Sequence, residues 1–204
     1  MTMIKICGLT SPEEAAFLNE IHSDFAGMVL FCGKSRRNIP IGRAKEIMEA
    51  LDPAIRTVAV TVSPTVSQVR AVEEAGFDLI QIHGETADDL IRDARIPVIR
   101  AVNGTNYDSL DHMLELDPVV GILFDAGEPG SGKTFDWSAL DGIDLKGRMK
   151  MLAGGLTPDN VAEAVRRVRP DVADVSTGVE QDSGRGKSRE KIRRFAGEVR
   201  RACI

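Results

Sequence analysis

The sequence predicts an α/β chain folded as a single (β/α)8 barrel over residues 1–204, and three observations predict it. Short runs rich in Val and Ile alternate with longer amphipathic stretches; the alternation recurs about eight times at a spacing of about 25 residues; and the runs are apolar on both faces, as in parallel strands covered on both sides. An open, doubly wound sheet is the competing architecture, but the evenness of the repeat favours closure. No linker rich in Pro, Gly or Ser divides the chain, so this is a lean TIM barrel and a lone catalytic domain.

The strands are expected at Met3 to Ile6, Phe25 to Leu30, Arg56 to Val62, Leu79 to Ile82, Pro97 to Ala101, Val119 to Phe124, Met149 to Leu152 and Val172 to Val175. Helix starts are legible between them. Thr10-Ser11-Pro12-Glu13-Glu14 offers a cap, a proline in the first turn and acidic residues where the helix dipole favours them. Thr157-Pro158-Asp159 repeats the device before Val161 to Val168, and Ser63-Pro64 does something similar before Val66 to Ala75.

Composition narrows the function. With 43% hydrophobic residues but one Trp and one Tyr, the core must be built from Ile, Leu, Val and Ala. A net charge of -5 and the lack of a long basic block argue against nucleic acid. The basic cluster from Arg185 to Arg201 is interrupted by Glu190 and Glu198 and reads as a solvated helix face. Cys7, Cys32 and Cys203 are too widely spaced for a disulfide framework or a zinc pattern. No signal peptide and no membrane-spanning run are visible, which places the protein in the cytoplasm. No apolar stripe stands out, which favours a monomer over a homodimer.

In such a barrel the chemistry belongs at the C-terminal ends of the strands. Cys7 follows the first strand, Cys32-Gly33-Lys34-Ser35-Arg36-Arg37 the second, His83 the fourth and Asp125 the sixth. Gly154 and Gly155 follow the seventh, and Ser176, Thr177 and Gly178 the eighth. Small residues at these last two positions can bring backbone N–H groups to a phosphate. Cys7 and Asp125 would face each other over that site, a pair suited to moving protons on a phosphorylated sugar without metal or redox cofactor. Arg37 could hold an anionic group of the substrate. His83 could bind the ligand or merely complete the rim. His22 and His112 read as surface residues.

Gly127 to Thr134 matches the nucleotide-binding pattern G-x-x-x-x-G-K-[ST]. That loop has to open a long helix, whereas Phe135-Asp136-Trp137-Ser138-Ala139-Leu140 meets Asp141-Gly142 within about two turns. No run downstream ends in a suitable aspartate, since Asp174 falls inside its strand. A phosphate-binding barrel acting on another sugar phosphate is the stronger alternative.

Seven segments, in order, resemble the phosphoribosylanthranilate isomerase family of tryptophan biosynthesis. They are Lys5 to Thr10, Lys34 to Arg37, Gln81 to Gly84, Leu123 to Asp125, Gly130 to Trp137, Gly154 to Leu156 and Asp174 to Glu180. The resemblance covers nearly the whole chain and accounts for the apparent nucleotide loop, because the family carries a similar glycine-rich sequence before Phe-Asp-Trp. It implies an Amadori rearrangement with Asp125 as general acid, Cys7 as general base, Arg37 on the anthranilate moiety and Gly154, Gly155 and Gly178 in the phosphate loops.

Three departures from the family pattern matter. The segment from Asp125 to Gly130 is short, so a lid formed there would close differently. Thr177 replaces a common serine. Gly186-Lys187-Ser188 lacks the aspartate often found after the lysine. Cys32 is expected to be a passive rim or core residue, although its nearness to Cys7 could permit an inhibitory disulfide.

Overall fold

The computed structural model describes residues 1–103, 107, 109–125 and 136–203. Eight parallel strands pair in sequence order and β1 closes on β8. They are β1 Met3–Cys7, β2 Phe25–Val29, β3 Arg56–Val62, β4 Leu79–His83, β5 Val98–Asn103, β6 Val119–Asp125, β7 Met149–Leu152 and β8 Val172–Val175. The helices are α1 Ala15–Ile21, α2 Ile41–Ala50, α3 Val66–Ala75, α4 Asp88–Arg92, α5 Leu110–Leu114, α6 Val161–Val168 and α7 Arg189–Ala202. The expected barrel is therefore the observed one. Three strands, β3, β7 and β8, have the bounds read from the sequence.

Alternation along the strands sorts the core into two layers. Phe25, Val58, Val60, Leu79, Ile99, Leu123, Met151 and Val172 fill the barrel interior. Ile4, Ile6, Met28, Ile80, Ile82, Val98, Ile122, Phe124 and Val175 point outward into the layer beneath the helices. Because successive side chains on a strand face opposite sides, position along each strand decides which residues reach the interior.

Three expectations need correction. Cys7, His83 and Asp125 are the last residues of β1, β4 and β6 rather than the first of a loop, so the pleat sets their direction. The cap of α3 is Thr65, not Ser63-Pro64: Thr65 Oγ1 accepts from Gln68 N–H at 3.3 Å and Gln68 Oε1 accepts from Thr65 N–H at 2.8 Å. Before α6, Thr157 Oγ1 accepts from Asp159 N–H at 3.2 Å, which closes a turn, and Asn160 takes the cap position. Ser11 does open the first helical segment as expected, with Pro12 in its first turn.

The basic C-terminal cluster is mostly a solvated face. Arg189 and Arg193 pair with Glu20, and Arg194 with Asp159, while Ile192, Phe195, Ala196 and Val199 are buried beneath. Lys187 is the exception, with only 1% of its surface exposed.

Candidate active site

A cavity of about 530 Å³ occupies the C-terminal mouth of the barrel. Its wall includes Cys7, Arg37, His83, Asp125, Gly154, Gly155, Ser176, Thr177 and Gly178, so every site residue read from the sequence meets in one pocket. Cys7 on β1 and Asp125 on β6 lie on the same inward face, with β7 and β8 between them. Both are buried. Val29, Val60, Val62 and Leu123 supply an apolar part of the wall, against which a flat aromatic ring could lie.

The two loops after β7 and β8 are held close together. A Cβ placed on Gly178 would lie 2.1 Å from the carbonyl oxygen of Leu156, so no other residue fits between them. Gly154 and Gly155 both take positive φ, 80° and 65°. Asn160 fastens this loop to α6, its Nδ2 donating to Gly155 O at 2.9 Å and its Oδ1 accepting from Thr157 N–H at 2.8 Å.

Arg37 crosses from the β2 loop to the β8 loop. Its Nε donates to Glu180 Oε1 at 2.6 Å and its Nη2 to Thr177 Oγ1 at 2.8 Å. The threonine that departs from the family pattern thus keeps a hydroxyl in use. Arg36 pairs with the same carboxylate but is half exposed. Cys32 is a free thiol on the cavity rim, as is Cys7 deeper inside.

Four buried residues were missed as site residues. Lys5, with no exposed surface, lies two positions before Cys7 on the same inward face and donates to Asp174 Oδ2 at 2.9 Å. Lys187 Nζ donates to Ser176 O at 3.1 Å and Ser176 Oγ at 3.3 Å. Glu14 secures that lysine's backbone, accepting from Lys187 N–H at 2.6 Å and from Thr10 N–H at 2.6 Å. The signal was available for two of them, because a lysine or aspartate inside an apolar strand is rarely buried without a partner. The missing family aspartate also finds an explanation here. Ser188 caps α7, its Oγ accepting from Lys191 N–H at 3.3 Å, a task serine performs as well as aspartate.

Burial pushes the Cys7 thiol up from its ordinary value, opposed by the ammonium groups of Lys5 and Lys187 and reinforced by Asp174. Burial also pushes Lys187 down, against the attraction of Cys7 and Glu180. For Lys5 burial disfavours the charge, but Asp174 and Cys7 outweigh it and the pKa rises.

His83 belongs to the wall, with Nε2 2.7 Å from Gln81 Nε2. Burial, with Lys5 and Arg100 nearby, pushes it down to about 4, so the ring is neutral at pH 7 and accepts a hydrogen bond from the Gln81 amide. Stability follows from the sign: the unfolded chain binds this proton below about 6.5 and the folded chain only below about 4. Acidification across that window should therefore cost the fold on the order of 3 kcal/mol. Urea unfolding of the parent and of His83→Gln at pH 7 and pH 4.5 checks it. The parent should lose more stability on acidification than the variant.

The nucleotide-like stretch Gly127 to Thr134 and the short loop after Asp125 lie outside the described residues. Just downstream, Trp137–Leu140 forms a 3₁₀ helix of only four residues, where a nucleotide loop has to open a long helix. Among the described residues no helix is long and apolar enough to cross a membrane.

Fold and site together define a (β/α)8-barrel enzyme with its cavity at the C-terminal mouth of the barrel. The family model described as N-(5'phosphoribosyl)anthranilate (PRA) isomerase matches residues 4–198. The N-(5'-phosphoribosyl)anthranilate isomerase of Halorhodospira halophila is 39% identical over 206 residues, covering 98% of this chain and 97% of the relative. The phosphoribosyl anthranilate isomerase structure from Thermus thermophilus superposes with a TM-score of 0.87 at 32% identity, covering 98% of this chain and 99% of that one. A further isomerase structure, in complex with reduced 1-(o-carboxyphenylamino)-1-deoxyribulose 5-phosphate, gives a TM-score of 0.84 at 33% identity, with coverage of 98% and 99%. The chain belongs to the N-(5'-phosphoribosyl)anthranilate isomerase family.

Proposed function

We propose that this chain isomerises N-(5'-phosphoribosyl)anthranilate to 1-(2-carboxyphenylamino)-1-deoxyribulose 5-phosphate, with Asp125 as general acid and Cys7 as general base. The observation that carries the reading is that one cavity, in a chain of this family, gathers a thiol, a carboxyl, an arginine and two loops of small residues. Asp125 in its protonated form gives its proton to the ring oxygen, the bond from that oxygen to C1' breaks, and the nitrogen lone pair forms an iminium. The Cys7 thiolate then takes the proton from C2', and the released electron pair makes the enolamine. Transfer of the enol proton to C1' leaves the ketone, so the product has the atoms of the substrate and no external oxidant is consumed.

The glycine-rich loops after β7 and β8 serve the phosphate through backbone N–H groups. Arg37, steadied by Glu180 and Thr177, faces the anthranilate carboxylate. No metal or redox cofactor enters this scheme. The barrel acts as one catalytic domain. We extend the reading to a cytoplasmic monomer, because the substrate is a charged metabolite. Among the described residues, Met1, Phe31, Val62 and Val66 are the exposed large hydrophobics. Sedimentation equilibrium tests the monomer.

Complementation tests the reaction. A tryptophan auxotroph lacking this isomerase should grow when it expresses the parent chain and should fail with Cys7→Ser. Growth with both would remove the thiol from the mechanism, and growth with neither would remove the reaction.

A further inference from the structure

The register of three strands brings one ammonium and one sulfur together inside the barrel. On β1, Lys5 pairs in register with Asp174 of β8, and Cys7 pairs with Gly27 of β2. Gly27 has no side chain, and the space this leaves is shared. A Cβ built there would lie 3.0 Å from Cys7 Sγ and 3.2 Å from Lys5 Nζ, so both atoms border the same small volume. The ammonium is fixed from the other side by its 2.9 Å bond to Asp174 Oδ2.

We propose that Lys5, held by Asp174, is a positioning residue whose fixed positive charge offsets part of the penalty that burial places on the ionised Cys7 sulfur. A thiol buried among apolar side chains is a poor base because its anion is not solvated. An ammonium placed within one side chain's width replaces the missing water. It does so without donating to the substrate, since the lysine is fully enclosed. A buried ion pair of this kind is an expensive feature to retain for stability alone, whereas beside the reacting sulfur it has a use.

The other charged groups that bear on Cys7 and Lys5 come from separate elements. Asp174 of β8 opposes the thiolate, and Lys187, in the segment before α7, supports it from the phosphate side. Arg37, Glu180 and Glu14 act on Lys187. His83 of β4 faces Lys5 but is uncharged. Lys5 is distinguished from Lys187 by being pinned within β1 itself, two residues from the sulfur it serves.

This inference rests on Cys7 as the base, so its test reads the thiol directly. The rate of iodoacetamide alkylation of the Cys7 peptide, followed against pH by mass spectrometry to separate it from Cys32 and Cys203, gives the ionisation midpoint without turnover. In Lys5→Met, matched in length but uncharged, the midpoint should rise by at least about one pH unit, a tenfold loss of thiolate at fixed pH. In parallel kcat should fall with KM little changed. A midpoint unmoved in a folded Lys5→Met protein overturns the proposal. If that variant does not fold, Lys5→Gln, uncharged but still able to donate a hydrogen bond to Asp174, decides by the same reading: the midpoint should rise, and an unmoved midpoint overturns the proposal. Activity surviving in Cys7→Ala would instead overturn the assignment of the base, a separate outcome.

Discussion

Cys7→Ala and Asp125→Asn should each remove the isomerisation while leaving the barrel intact. Both residues end their strands on the inward face, and neither replacement inserts volume. A general acid or base contributes roughly 10²- to 10⁴-fold, and here the acid opens the ring before the base can act. Each single variant should therefore lose activity by at least that range, and the double variant should lose little more, because the two groups serve consecutive steps of one route. The loss of anthranilate fluorescence on turnover reads the activity, and circular dichroism with thermal unfolding reads the fold. A folded Asp125→Asn protein with near-parent kcat would take the acid role away from this residue.

Gly178→Ala should damage binding and stability together. The added methyl would sit 2.1 Å from the Leu156 carbonyl oxygen, a backbone atom with no rotamer to escape into. The loops after β7 and β8 would have to separate, and overpacking of this kind costs about 1–3 kcal/mol. With about 2–4 °C per kcal/mol for a chain of this size, the melting temperature should fall by roughly 2–12 °C. Because the same loops form the proposed phosphate cradle, KM should rise at least about tenfold, while the alkylation midpoint of Cys7 stays in place. A variant that melts lower but binds phosphorylated substrate like the parent would separate the cradle from these loops.

The contrast between the two replacements bears on how the site is built. Cys7 and Asp125 were legible because reactive residue types stood at the ends of apolar runs. Gly178 was legible because small residues recurred after the last two strands. Lys187 was not, because its neighbours from Arg185 onward look like a solvated basic face, and only the fold carries this ammonium back under Ser176 while Glu14 holds its backbone N–H. Arg37 was read as a ligand to the substrate. Its clasp by Glu180 and Thr177 links positions more than a hundred residues apart and could not be read from spacing. The misplaced caps of α3 and α6 have a local cause: both turns contain a proline followed by a polar residue that competes for the cap.

The amino-acid sequence by itself determined the eight-fold repeat, the parallel barrel and the end of that barrel at which chemistry occurs, because hydrophobic period and strand polarity are local properties. Only the tertiary structure decided which charges surround the reactive sulfur. Lys5 meets Asp174 across the closing seam between β1 and β8, and the gap at Gly27 lets it border Cys7. That arrangement depends on register between strands far apart in the chain, and register is set when the barrel closes.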